Sequence, residues 1–100
     1  MRISAEEAWQ IMQETEDDYV VLDVRSDNEY YKGHIEGAIP IPVEELCERI
    51  EEEIPYEDML ILVYSNEGMS SAIADELLAE MGYTNVKDFG GIIDWSYGIV

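Results

Sequence analysis

The chain has 100 residues, 47% of them hydrophobic, enough for one compact domain with one core over residues 1–100 and too few for two. Its 24 acidic side chains against five basic ones give a formal charge of −19, which repels nucleic acid and anionic membrane surfaces and excludes both as expected partners. One cysteine, Cys47, and one histidine, His34, cannot supply a disulfide framework or the usual nitrogen and sulfur ligands of zinc; with no Asp-x-Asp-x-Asp-Gly loop either, neither a metal nor another cofactor is expected.

Most of the acidic charge lies in Glu14 to Asp18 and Glu44 to Glu53, which read as solvated faces. After Met1-Arg2 the chain enters a capped helix without a charged-then-apolar leader, and no apolar run approaches membrane-spanning length. A cytoplasmic, monomeric protein is the expectation.

Ser4-Ala5-Glu6-Glu7 forms a capping box, and Ala5, Ala8, Trp9 and Met12 fall on one face of a helix that runs to about Gln13. Tyr19 to Val24 is a near-continuous β-prone run, the pattern of a strand buried on both faces of a parallel sheet, with Asp23 and Arg25 at its C-terminal end. In open α/β sheets, ligands and catalytic groups gather at that end. Asp27 to Lys32 predicts a short helix ended by Gly33, and the prolines of Gly37 to Pro42 predict a short extended segment.

Val43, Leu46, Cys47, Ile50 and Ile54 mark the buried face of the next helix, which Pro55 ends; Cys47 there is expected to be core packing rather than a nucleophile. A buried strand over Met59 to Tyr64 leads into the turn Ser65-Asn66-Glu67-Gly68-Met69-Ser70. A helix from Ser71 to Met81 follows, with Ile73, Ala74, Leu77, Leu78 and Met81 inward and Gly82 as its C-terminal cap. Val86 to Phe89 is a last strand, Gly90-Gly91 a turn, and a short helix surrounds Asp94 and Trp95. Trp95 and Tyr97 are expected to close the core. This alternation predicts an α/β sandwich with a mostly parallel, four- or five-stranded central sheet and helices on both faces.

The order of short motifs resembles the rhodanese-like (sulfurtransferase) family over essentially the whole chain. The matching residues are Leu22-Asp23-Val24-Arg25, Glu29-Tyr30, Gly33-His34-Ile35, Gly37-Ala38-Ile39, Ile41-Pro42, Val63-Tyr64, Gly68, Ser71, Gly82 to Val86, and Gly90-Gly91 followed by Trp95. The resemblance implies a loop of the form Cys-x-x-Gly-x-Arg, in which the cysteine becomes a persulfide and passes its sulfur to an acceptor. Here the loop is Ser65-x-x-Gly68-x-Ser70: Gly68 keeps the turn, while serine replaces both the nucleophile and the arginine, and Glu67 adds a negative charge.

A serine hydroxyl cannot form a persulfide, and no neighbouring histidine in sequence activates it. His34 reads as a framework residue. Losing the arginine and gaining Glu67 disfavours anionic sulfur donors. The related phosphatase loop, Cys-x5-Arg, would require a cation at Ser71, so phosphatase activity is not expected either. By resemblance, Asp23 and Arg25 pair and brace the loop.

Two functions follow as expectations. In the first, the domain is a non-catalytic, binding or regulatory rhodanese homologue working through the pocket that the loop rims, with a protein partner or a sulfur donor or acceptor as ligand. In the second, it is a sulfurtransferase or persulfide carrier whose cysteine at position 65 was exchanged artificially, which would account for Ser65 but not for Glu67 or Ser70.

Overall fold

A computed structural model describes residues 1–100. Four parallel strands form one sheet in the order β2-β1-β3-β4, with β1 spanning Tyr19–Asp23, β2 Ile39–Pro40, β3 Leu60–Ser65 and β4 Val86–Gly91. The most buried strand, β3, lies between β1 and β4, and every one of its six residues is buried. Its side chains alternate between two apolar clusters, as a period of two requires. Ile61 and Val63 join Leu22, Val24, Ile50 and Leu78 on one face, whereas Leu60, Leu62 and Tyr64 join Val21, Ala8 and Phe89 on the other.

Helices α3 (Leu46–Glu53) and α4 (Met69–Glu80) supply the first cluster, and α1 (Ala5–Glu14) supplies the second. The expected two-faced sandwich is therefore present, with all of its strand pairs parallel. Alongside it, residues 1–3 run parallel to β4: the Ile3 N–H donates to the Asp88 carbonyl and the Asp88 N–H to the Met1 carbonyl, both at 2.8 Å.

Local signals set most boundaries. The Ser4 hydroxyl accepts from the Glu7 N–H, and the Glu7 carboxylate takes the Ser4 N–H, both at 3.0 Å, so the predicted capping box starts α1. At the end of α4 the Tyr83 N–H reaches the Leu78 carbonyl at 3.0 Å and the Gly82 N–H the Ala79 carbonyl at 3.1 Å. Gly82, at φ +98°, sits just beyond the capping residue Met81. This double closure satisfies carbonyls that the helix end would otherwise orphan.

Three expectations are corrected. Cys47 is exposed, because Leu46, Ile50 and Ile54 fill the buried stripe of α3 and Cys47 stands one residue, about 100° of helix, away from it. Ile73 is 50% exposed for the same reason: α4 buries Ser71, Ala74 and Leu78, and Ile73 stands one residue away from Ala74. Finally, Gly90-Gly91 is not a turn but the end of β4, where Gly91 lies in register with Ser65 after a shift in pairing.

Candidate functional site

The site lies at the C-terminal ends of β1 and β3, where the parallel register sets Asp23 beside Tyr64, one residue before Ser65. Asp23 is fully buried. Its Oδ2 accepts from Arg25 Nη2 at 2.8 Å and from the Tyr64 hydroxyl at 2.6 Å, while Oδ1 accepts from the Arg25 N–H at 2.9 Å and from Arg25 Nε at 3.1 Å. Burial opposes the guanidinium charge, but the adjoining carboxylate outweighs it and raises the Arg25 pKa. Burial and the bond to Asp23 push the Tyr64 hydroxyl well above the usual phenol range. That hydroxyl also accepts the Ile35 N–H at 3.1 Å, and Arg25 Nη2 reaches the Gly33 carbonyl at 2.5 Å, so the β1 end holds the following segment in place.

Ser65 is 2% exposed. Its hydroxyl donates to Ser71 Oγ at 3.2 Å and accepts the Gly68 N–H at 3.0 Å. That N–H points inward because Gly68 adopts φ +104°, a left-handed conformation that glycine takes without strain. Beneath the loop, the Ser71 hydroxyl lies 3.2 Å from the Gly68 carbonyl and 3.3 Å from the Gly90 carbonyl. The loop crosses β4 so closely that a Cβ at Gly91 would stand 2.2 Å from the Asn66 carbonyl oxygen and 2.6 Å from Glu67 Cα. Gly91 is thus a steric requirement of the site.

A cavity of about 350 Å³ opens over Ser65, lined by Arg25, Ser26, Glu29, Glu44 and loop residues including Asn66, Glu67, Met69 and Ser70. Glu67 and Met69 are exposed and Ser70 is half-buried, so these three form the rim rather than the floor. Helix α2, Asp27–Lys32, brings Glu29 in: Ser26 and Glu29 form a second capping box, and the Asn66 amide donates to Glu29 Oε2. The Asn66 amide first, and Ser26 second, hold the Glu29 carboxyl below its ordinary pKa. A neighbouring cavity of about 490 Å³ shares Arg25 and Glu29 with the first and adds Lys32, Ile92, Trp95 and Ile99.

No basic side chain bonds Ser65. The His34 ring lies elsewhere, stacked on Tyr30 at 3.8 Å with Nδ1 2.9 Å from the Tyr30 carbonyl. Trp95, 9% exposed, packs against Phe89 at 5.4 Å and closes the core as expected, whereas Tyr97 is 37% exposed and stacks on Trp9 at 4.6 Å. No group of three or more His, Cys, Asp and Glu side chains is arranged to hold a metal ion. No helix is long and apolar enough to cross a membrane.

Comparison with known proteins agrees with this architecture, and residues 4–97 match the rhodanese-like domain family. The chain belongs to that family. It is 44% identical over 73 residues to the thiosulfate sulfurtransferase PspE of Escherichia coli strain K12, covering 73% of this chain and 70% of that protein. It is 32% identical over 98 residues to the thiosulfate sulfurtransferase GlpE of Coxiella burnetii, covering 94% of this chain and 85% of that one. The solved structure of an Escherichia coli rhodanese with anions superposes with a TM-score of 0.78 at 40% identity, over 83% of this chain and 98% of that chain.

This rhodanese-like domain has one cysteine, Cys47, on α3 and outside the residues that line the Ser65 cavity, which does not favour the sulfurtransferase alternative. Four residues of the site went unrecognised in the sequence. Glu29 carried a signal, the Ser-x-x-Glu spacing from Ser26. Glu44 read as part of a solvated acidic helix, Gly91 read as a turn, and Arg2, whose Nη2 donates to the Gly68 carbonyl of the loop at 2.8 Å, had no local signal.

Proposed function

We propose that this rhodanese-like domain is a binding module that keeps the sulfurtransferase loop as a scaffold and does not transfer sulfur. The observation that carries the reading is the state of position 65: a hydroxyl satisfied by Gly68 and Ser71, below a rim that bears Glu29, Glu44 and Glu67. Arg25, the one cation at that cavity, is neutralised by Asp23. An anionic donor such as thiosulfate meets uncompensated negative charge there, so the ligand this cavity suits is neutral or cationic. Asp23 and Arg25 act in this reading as braces for the neighbouring segment. The apolar wall of the adjoining cavity, with Ile92, Trp95 and Ile99, extends the binding surface and suits a small molecule or a protein side chain with an apolar part.

The test is to place a thiol at position 65 with Ser65→Cys in a Cys47→Ser background, add thiosulfate, and read the intact mass. The reading predicts little or no gain of one sulfur atom, with loading improved when Glu67→Gln and Ser70→Arg are added. Full loading of the Ser65→Cys protein without those changes would contradict it. In the unaltered protein, thiosulfate should leave the backbone resonances of Asn66 to Ser70 unshifted.

A further inference from the structure

Five cations accompany 24 carboxylates in this chain, so the place each occupies is informative. Arg25 is bound to Asp23, and Arg49 forms surface pairs with Glu45 and Glu53 at 3.3 and 3.5 Å. Arg2 lies outside every helix and every strand of the sheet, yet its guanidinium reaches the position-65 loop. Arg2 Nε donates to Asp88 Oδ2 at 2.8 Å, and Arg2 Nη2 donates to the Gly68 carbonyl at 2.8 Å. Asp88 is 2% exposed, and its Oδ1 accepts the Gly90 N–H at 2.9 Å, so the fork bridges the loop to the bulged end of β4.

Gly68 matters because it is read on both sides. Its carbonyl takes the guanidinium, and its N–H points at Ser65 Oγ. A left-handed glycine has a wide conformational range, and a charge-assisted bond to its carbonyl limits the rotation of the adjoining backbone. The approach is close: a Cβ added at Gly68 would stand 3.1 Å from Arg2 Nη1. The parallel pairing of residues 1–3 with Asp88 fixes the backbone from which Arg2 extends.

We propose that Arg2 is a positioning residue for the loop: by holding the Gly68 carbonyl and the Asp88 carboxylate together, it fixes the Gly68 N–H toward the side chain at position 65. The proposal rests on the reading of the loop as a retained scaffold. It supplies a bracing cation to a loop that has Ser70 where the family's pattern has arginine, from a segment 66 residues away in sequence. An N–H aimed at a sulfur favours the thiolate, so a thiol introduced at position 65 reports the alignment.

The experiment measures the pH dependence of iodoacetamide alkylation in the Ser65→Cys, Cys47→Ser protein, alone and with Arg2→Met, Arg2→Lys or Arg49→Met. Arg2→Met and Arg2→Lys are expected to raise the thiol pKa and slow alkylation at neutral pH about tenfold, one pKa unit; an ammonium cannot bridge both acceptors as a planar fork does. Arg49→Met, which removes a cation from the α3 surface, should leave the rate unchanged. In the unaltered Ser65 protein, Arg2→Lys should speed hydrogen exchange at the Gly68 amide. Alkylation rates in both Arg2 variants, and an exchange rate in Arg2→Lys, equal to those of their parents would overturn the proposal, as would full restoration of alkylation by Arg2→Lys, which would reduce the role to charge. Alkylation needs no sulfur donor, so its outcome is independent of whether thiosulfate loads the thiol, which tests the binding-module reading.

Discussion

The two strand ends that build the site are held in different ways. At the end of β1, Asp23 and Arg25 form with Tyr64 of β3 a buried network in which no fully buried side-chain polar atom lacks a partner. At the end of β3, the loop depends on glycine geometry at Gly68 and Gly91, on one buried hydroxyl pair, and on contacts from distant segments through Arg2 and Glu29. The buried network is constrained by what it would cost to leave a charge unpaired, which ties the family's framework residues to the fold. The loop side chains at positions 67 and 70 line the cavity and make no buried hydrogen bond, so they can change without unpairing anything buried, whereas Ser65 is held by Gly68 and Ser71. The contrast shows how a rhodanese-like chain keeps its scaffold while its loop carries Ser65, Glu67 and Ser70.

Substitutions at the two ends should separate them. Asp23→Asn leaves the Arg25 guanidinium buried without its counter-charge and is expected to destabilise the fold by about 3–5 kcal/mol, read from denaturant unfolding. Gly91→Ala should cost less, about 1–3 kcal/mol, because the methyl overpacks the backbone of Asn66 and Glu67 without leaving a buried charge unpaired; amide shifts confined to Asn66 to Ser71 would locate the damage. A Gly91→Ala protein as unstable as Asp23→Asn would remove the contrast between a constrained network and an adaptable loop.

The smallest effect belongs to Glu29. Its folded pKa is lowered, so its contribution is present above the ordinary carboxylate pKa and is lost as pH falls through the lowered folded value. The side-chain amide of Asn66 should therefore shift in NMR spectra only below the ordinary glutamate range, and Glu29→Gln should abolish that acid transition while leaving global stability nearly unchanged.

The strands were legible because the information is local, a β-prone run between turn signals, while the pairing of Asp23 with Arg25 at the end of β1 came from the resemblance to the family. The turn that carries position 65 was legible locally, as a strand, a turn and a helix in sequence, and its place in the site came from the resemblance. Cys47 and Ile73 were misplaced because apolar periodicity identifies a helix face only to within about one residue, and the stripe that α3 and α4 bury is narrow. Gly90-Gly91 carried the composition of a turn, and only the crossing loop above it shows why glycine is required there. Arg2 and the link between Asn66 and Glu29 were hidden by separation in sequence, 66 residues in one case and 37 in the other.

The central claim, that the scaffold remains and the sulfur chemistry does not, is tested most directly by intact-mass analysis of the Ser65→Cys, Cys47→Ser protein after incubation with thiosulfate. The account predicts a protein that stays at its unmodified mass until Glu67 and Ser70 are also changed. Stoichiometric gain of one sulfur atom by the Ser65→Cys protein itself would contradict it and show that the loop still supports persulfide formation.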